Sequence, residues 1–345
     1  MKILVAMSGG VDSTVAAKIL LEQGHEVGGA HMKMLGGLSK DCGAARRAAL
    51  QLGIPFYEFD METAFRENVI SYFVEAYCSG LTPNPCIVCN RTMKFGAFLE
   101  KAQELGYDHI ATGHYAKIVY DAASERWLLL RSGNRKKDQS YFLYHLTQEQ
   151  LRRSVFPLED AEKETVRRIA YEFGFDNAGK KDSQDICFVP DGNYGDFLER
   201  YLGGPLPEGD FIDSEGHVIG RHGGIARYTI GQRKGVRTAF GRPLYVIKKD
   251  PQANTVTMGE NERLFTDRLT AGDVNLILPS RLDAPLRVTA KHRYNQTDVP
   301  AEISQNEDGT VQVRFEAPQR AVTPGQAVVF YCGETVAGGG TILSP

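Results

Sequence analysis

A loop near the N-terminus has the residues of a phosphate-binding site. The run Ser8-Gly9-Gly10-Val11-Asp12-Ser13 lies between an apolar run, Lys2–Met7, and a segment with apolar residues at helical spacing, Thr14–Leu21. Between a strand and a helix, successive backbone N–H groups and the positive end of the helix dipole form an anion site. The glycines let the backbone approach a phosphate closely, the two serine hydroxyls can donate to it, and the aspartate can bind Mg²⁺.

Cysteine thiols are the second group with chemical potential. The chain has six cysteines, too few for a disulfide scaffold of this length, and thiols that stay reduced invite a catalytic or metal-binding role. Cys86 and Cys89 form a Cys-x-x-Cys pair, and Cys187 follows about a hundred residues later. The other three lie in no motif and are predicted to be buried bystanders: Cys42, Cys78 and Cys332.

The elements that must position these groups alternate between strands and helices. The predicted strands are Lys2–Met7, His25–Met34, Phe56–Phe59 and His109–Thr112, and the predicted helices are Thr14–Leu21, Ala44–Leu52, Glu62–Tyr77 and Arg91–Leu105. This order predicts an α/β fold with an N-terminal doubly wound parallel sheet, which binds ligands at the carboxyl ends of its strands.

Beyond about Gly203 the pattern changes to short alternating apolar runs with turn signals, which indicates antiparallel β modules. We predict three domains: a catalytic domain at 1–204, a small β-rich central domain at 205–266, and a β-barrel-like domain at 267–345.

Composition excludes several classes of protein. The 345 residues are 42% hydrophobic with a net charge of −3, which is ordinary for a globular protein and excludes disorder and fibrous repeats. The longest apolar runs have the length of strands, far below the roughly 18 residues that a membrane helix needs, and the N-terminus has no signal-peptide pattern. We therefore expect a cytoplasmic protein with no membrane partner.

The distribution of charge is less neutral than its sum. Between Gly216 and Lys249 there is no Asp or Glu, whereas eight residues are basic: Arg221, Arg227, Arg233, Lys234, Arg237, Arg242, Lys248 and Lys249. A second cluster comprises Arg131, Arg135, Lys136 and Lys137. Basic residues gathered in this way predict contacts with the phosphates of a nucleic acid.

The Ser8–Ser13 run resembles the pyrophosphatase loop of enzymes that cleave ATP between the α and β phosphates and adenylate an oxygen of their substrate. GMP synthetase, NAD synthetase, argininosuccinate synthase and the tRNA thiolases share such a loop. The resemblance therefore implies ATP and Mg²⁺ as cofactors and leaves the substrate open.

Five further motifs together resemble the tRNA-specific 2-thiouridylase family. They are Asn84-Pro85-Cys86-Ile87-Val88-Cys89-Asn90, Gly113-His114-Tyr115, Lys137-Asp138-Gln139-Ser140-Tyr141, Asp182-Ser183-Gln184-Asp185-Ile186-Cys187-Phe188 and Tyr228-Thr229-Ile230-Gly231-Gln232-Arg233-Lys234-Gly235. The resemblance implies an ATP-dependent sulfurtransferase that adenylates the C2 oxygen of a wobble uridine and replaces it with sulfur. Its partners would be tRNAs of the Glu, Gln and Lys type and a donor protein that carries a persulfide.

The family's roles can be assigned to matching positions of this chain. Cys187 would bear the persulfide and Cys89 would be the nucleophile, and the pair would end as a disulfide; Asn84, Pro85 and Cys86 would lie near the target base. The implied ATP-binding residues are Ala6, Met7, Ser8, Gly9, Gly10, Val11, Asp12, Ser13, Met32 and Gly113. The implied tRNA-binding residues are His114, Lys137, Asp138, Gln139, Arg233, Lys234, Arg293, Tyr294 and Gln326.

Two features of the cysteine segment bear on the mechanism. A helix start near Thr92 would place Cys89 at a positive helix end and lower the pKa of its thiol. Cys86 stands where the family pattern has Asp, so an acid–base role there is in doubt. The same exchange allows a [4Fe-4S] cluster on Cys86, Cys89 and Cys187 with one open iron site.

Two other functions fit parts of the sequence. One is a different adenylating enzyme with the same ATP loop, such as an amidotransferase-type synthetase or lysidine synthetase, which does not need two separated cysteines. The other is a non-catalytic RNA-binding protein that keeps a nucleotide fold.

Overall fold

The computed structural model describes residues 1–35, 42–176, 178–179, 186–236 and 243–345. Asp182–Asp185 of one motif and Arg237 and Arg242 of the basic stretch lie outside the described residues. Within the described part of the chain, no helix is long and apolar enough to cross a membrane.

The described residues in the first half of the chain form seven strands. They are β1 (Lys2–Ala6), β2 (Glu26–Lys33), β3 (Phe56–Asp60), β4 (His109–Ala111), β5 (Lys117–Asp121), β6 (Arg126–Leu130) and β7 (Ser154–Val155). The second half contributes β8 (Gly209–Ile212), β9 (Val218–His222), β10 (Tyr245–Asp250), β11 (Thr255–Gly259), β12 (Phe265–Leu276), β13 (Leu286–Lys291), β14 (Val299–Gln305), β15 (Val311–Arg320), β16 (Ala327–Cys332) and β17 (Thr335–Ser344).

The helices lie mostly between the early strands. They are α1 (Val11–Glu22), α2 (Cys42–Leu52), α3 (Glu62–Phe65), α4 (Ser71–Cys78), α5 (Pro85–Val88), α6 (Phe98–Glu104), α7 (Gln148–Arg152), α8 (Lys163–Glu172) and α9 (Tyr194–Leu202). π-helical segments at Arg66–Ile70 and Cys89–Ala97 join α3 to α4 and α5 to α6. Short 3₁₀ helices occur at Ser140–Phe142, Ile225–Arg227 and Asn261–Leu264.

The chain forms two compact units. Unit 1 comprises Met1–Ile70, Cys86–Gln184 and Glu334–Val336, and unit 2 comprises Ser71–Pro85, Asp185–Gly333 and Ala337–Pro345. The three domain ranges expected from the sequence stay predictions.

Unit 1 is built on a parallel sheet of five strands in the order β3-β2-β1-β4-β7. Ile3 and Val5 of the central strand β1 pack into a core with α1, α2 and α8. Leu4, which points to the other face, is also fully buried. Burial on both faces is typical of parallel strands, and the predicted doubly wound parallel sheet is confirmed.

Unit 2 contains two β structures. The first is a sheet in the order β10-β11-β8-β9, whose core includes Phe211, Val246 and Val256. The second is an antiparallel barrel in the order β12-β15-β14-β13-β16-β17, which closes because β17 pairs with β12, with Ile342 opposite Ala271. The predicted β-rich central region and C-terminal barrel are confirmed.

The barrel contains a histidine that burial keeps neutral. The ring of His292 is 1% exposed and lies 5.9 Å from the ring of Phe315. Burial, together with the neighbouring Arg293, lowers the pKa of His292 from 6.5 to about 4. Between these two pH values the unfolded chain binds a proton at this residue and the folded chain does not. Folding stability therefore decreases as pH falls from 6.5 towards 4, by about 3 kcal/mol for a shift of this size.

We expect His292→Gln to reduce the loss of stability in acid, since glutamine carries no titrating group. The free energy of unfolding is measured by urea denaturation at several pH values, following a spectroscopic signal of the barrel. It should fall less below pH 6.5 in this variant than in wild type. His25→Gln, at a half-buried histidine outside the barrel, is the control and should follow wild type. Parallel pH curves for wild type and His292→Gln would refute the assignment.

Candidate active site

The Ser8–Ser13 loop joins the carboxyl end of β1 to α1. Gly9 has a φ of 76°, in the left-handed region that glycine tolerates, and Gly10 is the N-cap residue, with no side chain capping the first turn. The Ser13 hydroxyl donates to the carbonyl of Gly10 at 3.2 Å and lies 3.3 Å from the Ser8 hydroxyl. The helix N-terminus and two adjacent hydroxyls thus lie together in the arrangement that anion sites use, and the predicted role of the loop in phosphate binding stays a prediction.

A salt bridge that the sequence analysis missed lies beside this loop. The ammonium of Lys163 donates to both carboxylate oxygens of Asp12 at 2.7 and 2.9 Å, and the hydroxyl of Tyr115 donates to one of them at 2.9 Å. Lys163 is 8% exposed and is the first residue of α8. A cation is disfavoured at a helix N-terminus. The position of Lys163 is therefore the one signal in the sequence that this lysine has a role outside its own helix.

Gly113 follows β4 at the point where that strand meets α1. A Cβ at this position would lie 2.9 Å from the Cβ of Asp12 and from the backbone nitrogen of Ser13. Any other residue would therefore push the end of β4 away from the phosphate loop. The requirement for glycine comes from packing against α1 as well as from the nucleotide contact that the resemblance implies.

His114 is held as a neutral ring. It lies between the rings of Phe95 and Phe156, with centroids 5.8 and 6.0 Å away, and its Nδ1 is 2.7 Å from the hydroxyl of Thr112. Burial, assisted by the positive charge of Lys94, lowers the pKa of His114 well below its usual value. His114 is therefore uncharged at neutral pH and can donate or accept a hydrogen bond.

Met32 is placed at the same edge of the sheet as the phosphate loop. It is half-buried near the carboxyl end of β2, two residues beyond Ala30, which pairs with Ala6 at the end of β1. Ligands of parallel α/β sheets bind at this edge.

The Lys137–Gln139 segment is tied to the interior of unit 1. The carboxylate of Asp138, which is 8% exposed, accepts hydrogen bonds from the backbone and hydroxyl of Ser140 and from the backbone N–H of Ser132. The side chain and backbone of Gln139 bond to the backbone of Tyr115. These side chains therefore shape the turn from within.

The helix that carries Cys89 begins earlier than predicted. It starts at Pro85 and continues through the π-helical segment to Glu104, so Cys89 lies inside the helix and the predicted start near Thr92 is wrong. Proline suits a first helical position because its fixed φ fits there and its missing N–H has no intrahelical partner to lose. The expected effect of a helix N-terminus on the Cys89 thiol therefore loses its geometric basis.

The two thiols of this helix differ in their surroundings. Cys89 is 8% exposed, whereas the side chain of Cys86, one turn earlier, is exposed. Surrounding protein atoms nevertheless raise the pKa of the Cys86 thiol, and the charge of Lys94 partly offsets this effect. Cys86 is thus a reachable but mostly protonated thiol, with none of the acidity of the aspartate expected there.

The predicted burial of the three other cysteines is wrong: Cys42 is half-buried, and Cys78 and Cys332 are exposed.

In unit 2, Cys187 is exposed next to a buried anchor. The following residue, Phe188, is 6% exposed, and its ring centroid lies 5.1 Å from that of Phe73 and 5.3 Å from that of Phe197. Aromatic packing of this kind fixes the backbone beside the thiol, so the sulfur faces solvent from an ordered position.

Ion pairs and burial reduce the number of cations in the basic stretch that are available to phosphates. Arg227 lies 3.1 and 2.7 Å from the carboxylates of Asp196 and Glu199. Arg221 pairs with Asp210, and Lys249 donates to backbone carbonyls. Among the residues that the structure describes in this stretch, the exposed cations outside such pairs are Arg233, Lys234 and Lys248.

All three predicted tRNA contacts in the barrel have partners within the protein. The guanidinium of Arg293 donates to the carbonyl of Ala321 at 2.6 Å and to the hydroxyl of Thr323 at 2.8 Å. The amide of Gln326 donates to the carbonyl of Thr82 at 2.8 Å. The ammonium of Lys291 lies 5.2 Å from the centroid of the Tyr294 ring, which is within cation–π distance.

We expect Lys163→Met to weaken ATP binding about tenfold or more, because a buried charge-assisted hydrogen bond beside the phosphate loop contributes about 1.5–3 kcal/mol. Equilibrium dialysis of the protein with ATP, without RNA, measures the effect. Lys101→Met, at an exposed lysine on α6, is the matched control. Wild-type affinity in a folded Lys163→Met protein would show that the lysine serves only to neutralise Asp12.

Three family models together match nearly the whole chain. The family model described as the tRNA methyl transferase HUP domain matches residues 1–191. The tRNA methyl transferase PRC-barrel domain matches residues 195–260, and the aminomethyltransferase beta-barrel domain matches residues 266–342.

Curated relatives match over nearly their full length. The tRNA-specific 2-thiouridylase MnmA of Acetivibrio thermocellus is 48% identical, with 99% of each chain covered. The enzyme of the same name from Clostridioides difficile is 46% identical over 99% of this chain and 98% of its own. That of Treponema denticola is 48% identical over 100% and 98%. With this identity along its whole length, and with the parallel sheet, phosphate loop and barrel in place, the chain belongs to the tRNA-specific 2-thiouridylase family.

Proposed function

We propose that this protein is an ATP-dependent tRNA-uridine 2-sulfurtransferase that converts a wobble uridine to 2-thiouridine, with AMP and pyrophosphate as the other products. The observation that carries the proposal is the full-length similarity to tRNA-specific 2-thiouridylases. The phosphate loop with its buried lysine supports the ATP-dependent half of the reaction, and the exposed, anchored Cys187 supports the sulfur-transfer half. The other adenylating enzymes considered do not need two separated cysteines.

ATP would bind with its phosphates on residues 6–13. The N-terminus of α1, the Ser8 and Ser13 hydroxyls and the Lys163 ammonium together present donors and positive potential to the phosphates. Met32 would contact the adenine and Gly113 the nucleotide at the same sheet edge. These donors would hold the α phosphate while the uridine C2 oxygen attacks it and pyrophosphate leaves.

Asp12 fits a role in holding Mg²⁺. Its side chain is 31% exposed, and a carboxylate has more lone pairs than the Lys163 and Tyr115 hydrogen bonds occupy. A magnesium ion bound there would offset the negative charge of the pyrophosphate. Lys163 keeps the carboxylate oriented toward the loop by holding both of its oxygens.

The sulfur step follows from the chemistry of the adenylated base. The terminal sulfur of a Cys187 persulfide attacks C2 and AMP leaves with the original oxygen, so that the base is joined to Cys187 through a disulfide bond. The Cys89 thiolate then attacks the Cys187 sulfur, and the released electron pair stays on the base as 2-thiouridine. The two cysteines end as a disulfide, which a cellular thiol reductant must reopen.

Cys86 supports an alternative in which an iron–sulfur cluster supplies the sulfur for the same reaction. Cys86, Cys89 and Cys187 supply three thiols, the number that a [4Fe-4S] cluster with one open iron site requires. Iron and sulfide analysis of anaerobically purified protein, alongside a thiolation assay with ATP and wobble-uridine tRNA, separates the two routes. Full activity without iron excludes the cluster, and an obligatory cluster replaces the persulfide.

The partners and setting complete the proposal. The RNA substrates would be tRNAs of the Glu, Gln and Lys type, and a protein carrying a persulfide would charge Cys187. We place the reaction in the cytoplasm, where thiols stay reduced. Around the target base, Asn84, Pro85 and Cys86 would line the approach. The remaining RNA contacts would come from His114, Lys137–Gln139, Arg233, Lys234, Arg293, Tyr294 and Gln326.

We expect Cys187→Ser to abolish 2-thiouridine formation while tRNA binding and ATP-dependent adenylation of the tRNA persist, because serine cannot carry a persulfide. Mass spectrometry of digested tRNA measures the product. Cys332→Ser, at an exposed cysteine outside every motif, is the control and should retain wild-type activity. Thiolation by Cys187→Ser at the wild-type rate would falsify the persulfide assignment.

Reversing the charge of Arg233 and Lys234 to Glu should weaken tRNA binding and reduce its salt dependence, since both are exposed cations. Loss of two phosphate contacts lowers the slope of log affinity against log salt by about 1.5 to 2. Filter binding at several salt concentrations measures both quantities. The control reverses Lys101 and Arg168, two exposed cations outside the predicted contacts; equal effects of the two double variants would defeat the assignment.

A further inference from the structure

The segment that leads into Cys86 is held by residues from two distant parts of unit 2. It runs from Gly80 to Pro85, between α4 and α5, and its residue Thr82 is 8% exposed. The backbone N–H of Thr82 donates to the carbonyl of Pro324 at 2.9 Å, and its carbonyl accepts from the amide of Gln326 at 2.8 Å. Both polar backbone groups of one residue are therefore satisfied by a single turn of the barrel.

That barrel turn is held by backbone hydrogen bonds and packs closely against the segment. The backbone N–H of Gly325 donates to the carbonyl of Ile342, and that of Ile342 donates to the carbonyl of Gln326. Gly325 has a φ of 88°, and a Cβ there would lie 2.8 Å from the nitrogen of Thr82. The turn cannot carry a side chain at this position without displacing the segment.

A lysine from the four-stranded sheet holds the preceding residue. The ammonium of Lys249, on β10, donates to the carbonyl of Tyr228 at 2.9 Å and to the carbonyl of Leu81 at 3.4 Å. Burial lowers the pKa of Lys249 to about 8. An ammonium removed from water in this way and used to join two backbone carbonyls has a local structural task, in contrast to the neighbouring Lys248, which is exposed on the same strand.

Together these contacts leave the segment little freedom. Leu81 is bound through its carbonyl by Lys249, and Thr82 is bound through both backbone groups by the barrel turn. Four residues later the chain reaches Cys86. Since reacting groups must be placed to within about an ångström, where a misplacement of that size costs about a hundredfold in rate, the position of this segment bears directly on the chemistry.

We propose that Lys249 and Gln326 are positioning residues for the reaction: they fix the backbone of Leu81 and Thr82 and thereby set where Asn84, Pro85 and Cys86 stand. The inference rests on the proposed function for its kinetic consequences, and on the contacts alone for its structural ones. It gives Gln326, which the family resemblance implies as a tRNA contact, a task inside the protein.

The test compares Lys249→Met, which keeps the length of the side chain but removes its donors, with Lys249→Arg, which retains them. Lys248→Met is the matched control on the same strand. Hydrogen exchange of the Thr82 amide, measured on the full protein without substrates, should be at least tenfold faster in Lys249→Met than in wild type. It should be unchanged in Lys248→Met and partly restored in Lys249→Arg.

Thiolation kinetics supply the second readout. In Lys249→Met we expect kcat to fall about tenfold or more, with the KM for tRNA within twofold of wild type, since the RNA-contacting surface is intact. Gln326→Leu should also speed Thr82 exchange and lower kcat, and it carries the test where Lys249→Met does not fold. A raised KM with unchanged kcat and unchanged Thr82 exchange would make these residues RNA contacts and overturn the proposal.

The two readouts separate this inference from the proposed function. Loss of Thr82 protection in a protein whose wild type does not thiolate tRNA would refute the function and keep the anchoring contacts. Normal Thr82 exchange in Lys249→Met and Gln326→Leu, with wild-type thiolation, would refute the anchoring and keep the function.

Discussion

The carboxylate of Asp12 fixes the arrangement of the nucleotide half of the molecule. It lies in the first turn of α1, where the helix dipole favours a negative charge, and it receives hydrogen bonds from Lys163 and Tyr115. Those two residues belong to α8 and to the segment after β4. One side chain therefore ties three parts of unit 1 together beside β1. The need for glycine at position 113 follows, because a Cβ there would lie 2.9 Å from Asp12.

The same constraint reaches the segment that the family resemblance assigns to tRNA. Tyr115, whose hydroxyl binds Asp12, exchanges backbone and side-chain hydrogen bonds with Gln139. The neighbouring Asp138 closes its turn on Ser132 and Ser140. The phosphate loop and this segment thus share a continuous set of hydrogen bonds within unit 1. In unit 2, the segment before Cys86 is held in a similar way, because Lys249 and a barrel turn bind its backbone carbonyls.

Local patterns were sufficient for the architecture and for the phosphate loop. An apolar run such as Ile3–Val5 can be satisfied only where both faces are covered, so it predicts a central parallel strand. Lys163 escaped notice because its partner Asp12 lies 151 residues away. The helix start at Pro85 escaped because proline marks both loops and first helical positions, and only the backbone hydrogen bonds decide between them. In both cases the deciding contact is distant or belongs to the backbone, and side-chain periodicity records neither.

The charges of the basic stretch also have partners that are distant in sequence, and these partners change how RNA binding is explained. The carboxylates that pair with Arg227 belong to α9, so a count of neighbours in sequence overstates the cations available to phosphates. An arginine already paired releases few counterions when RNA arrives, because a phosphate must first displace its carboxylate. Much of the affinity must then come from shape and from contacts with unstacked bases. A nearly neutral enzyme can bind tRNA in this way without attracting nucleic acid in general.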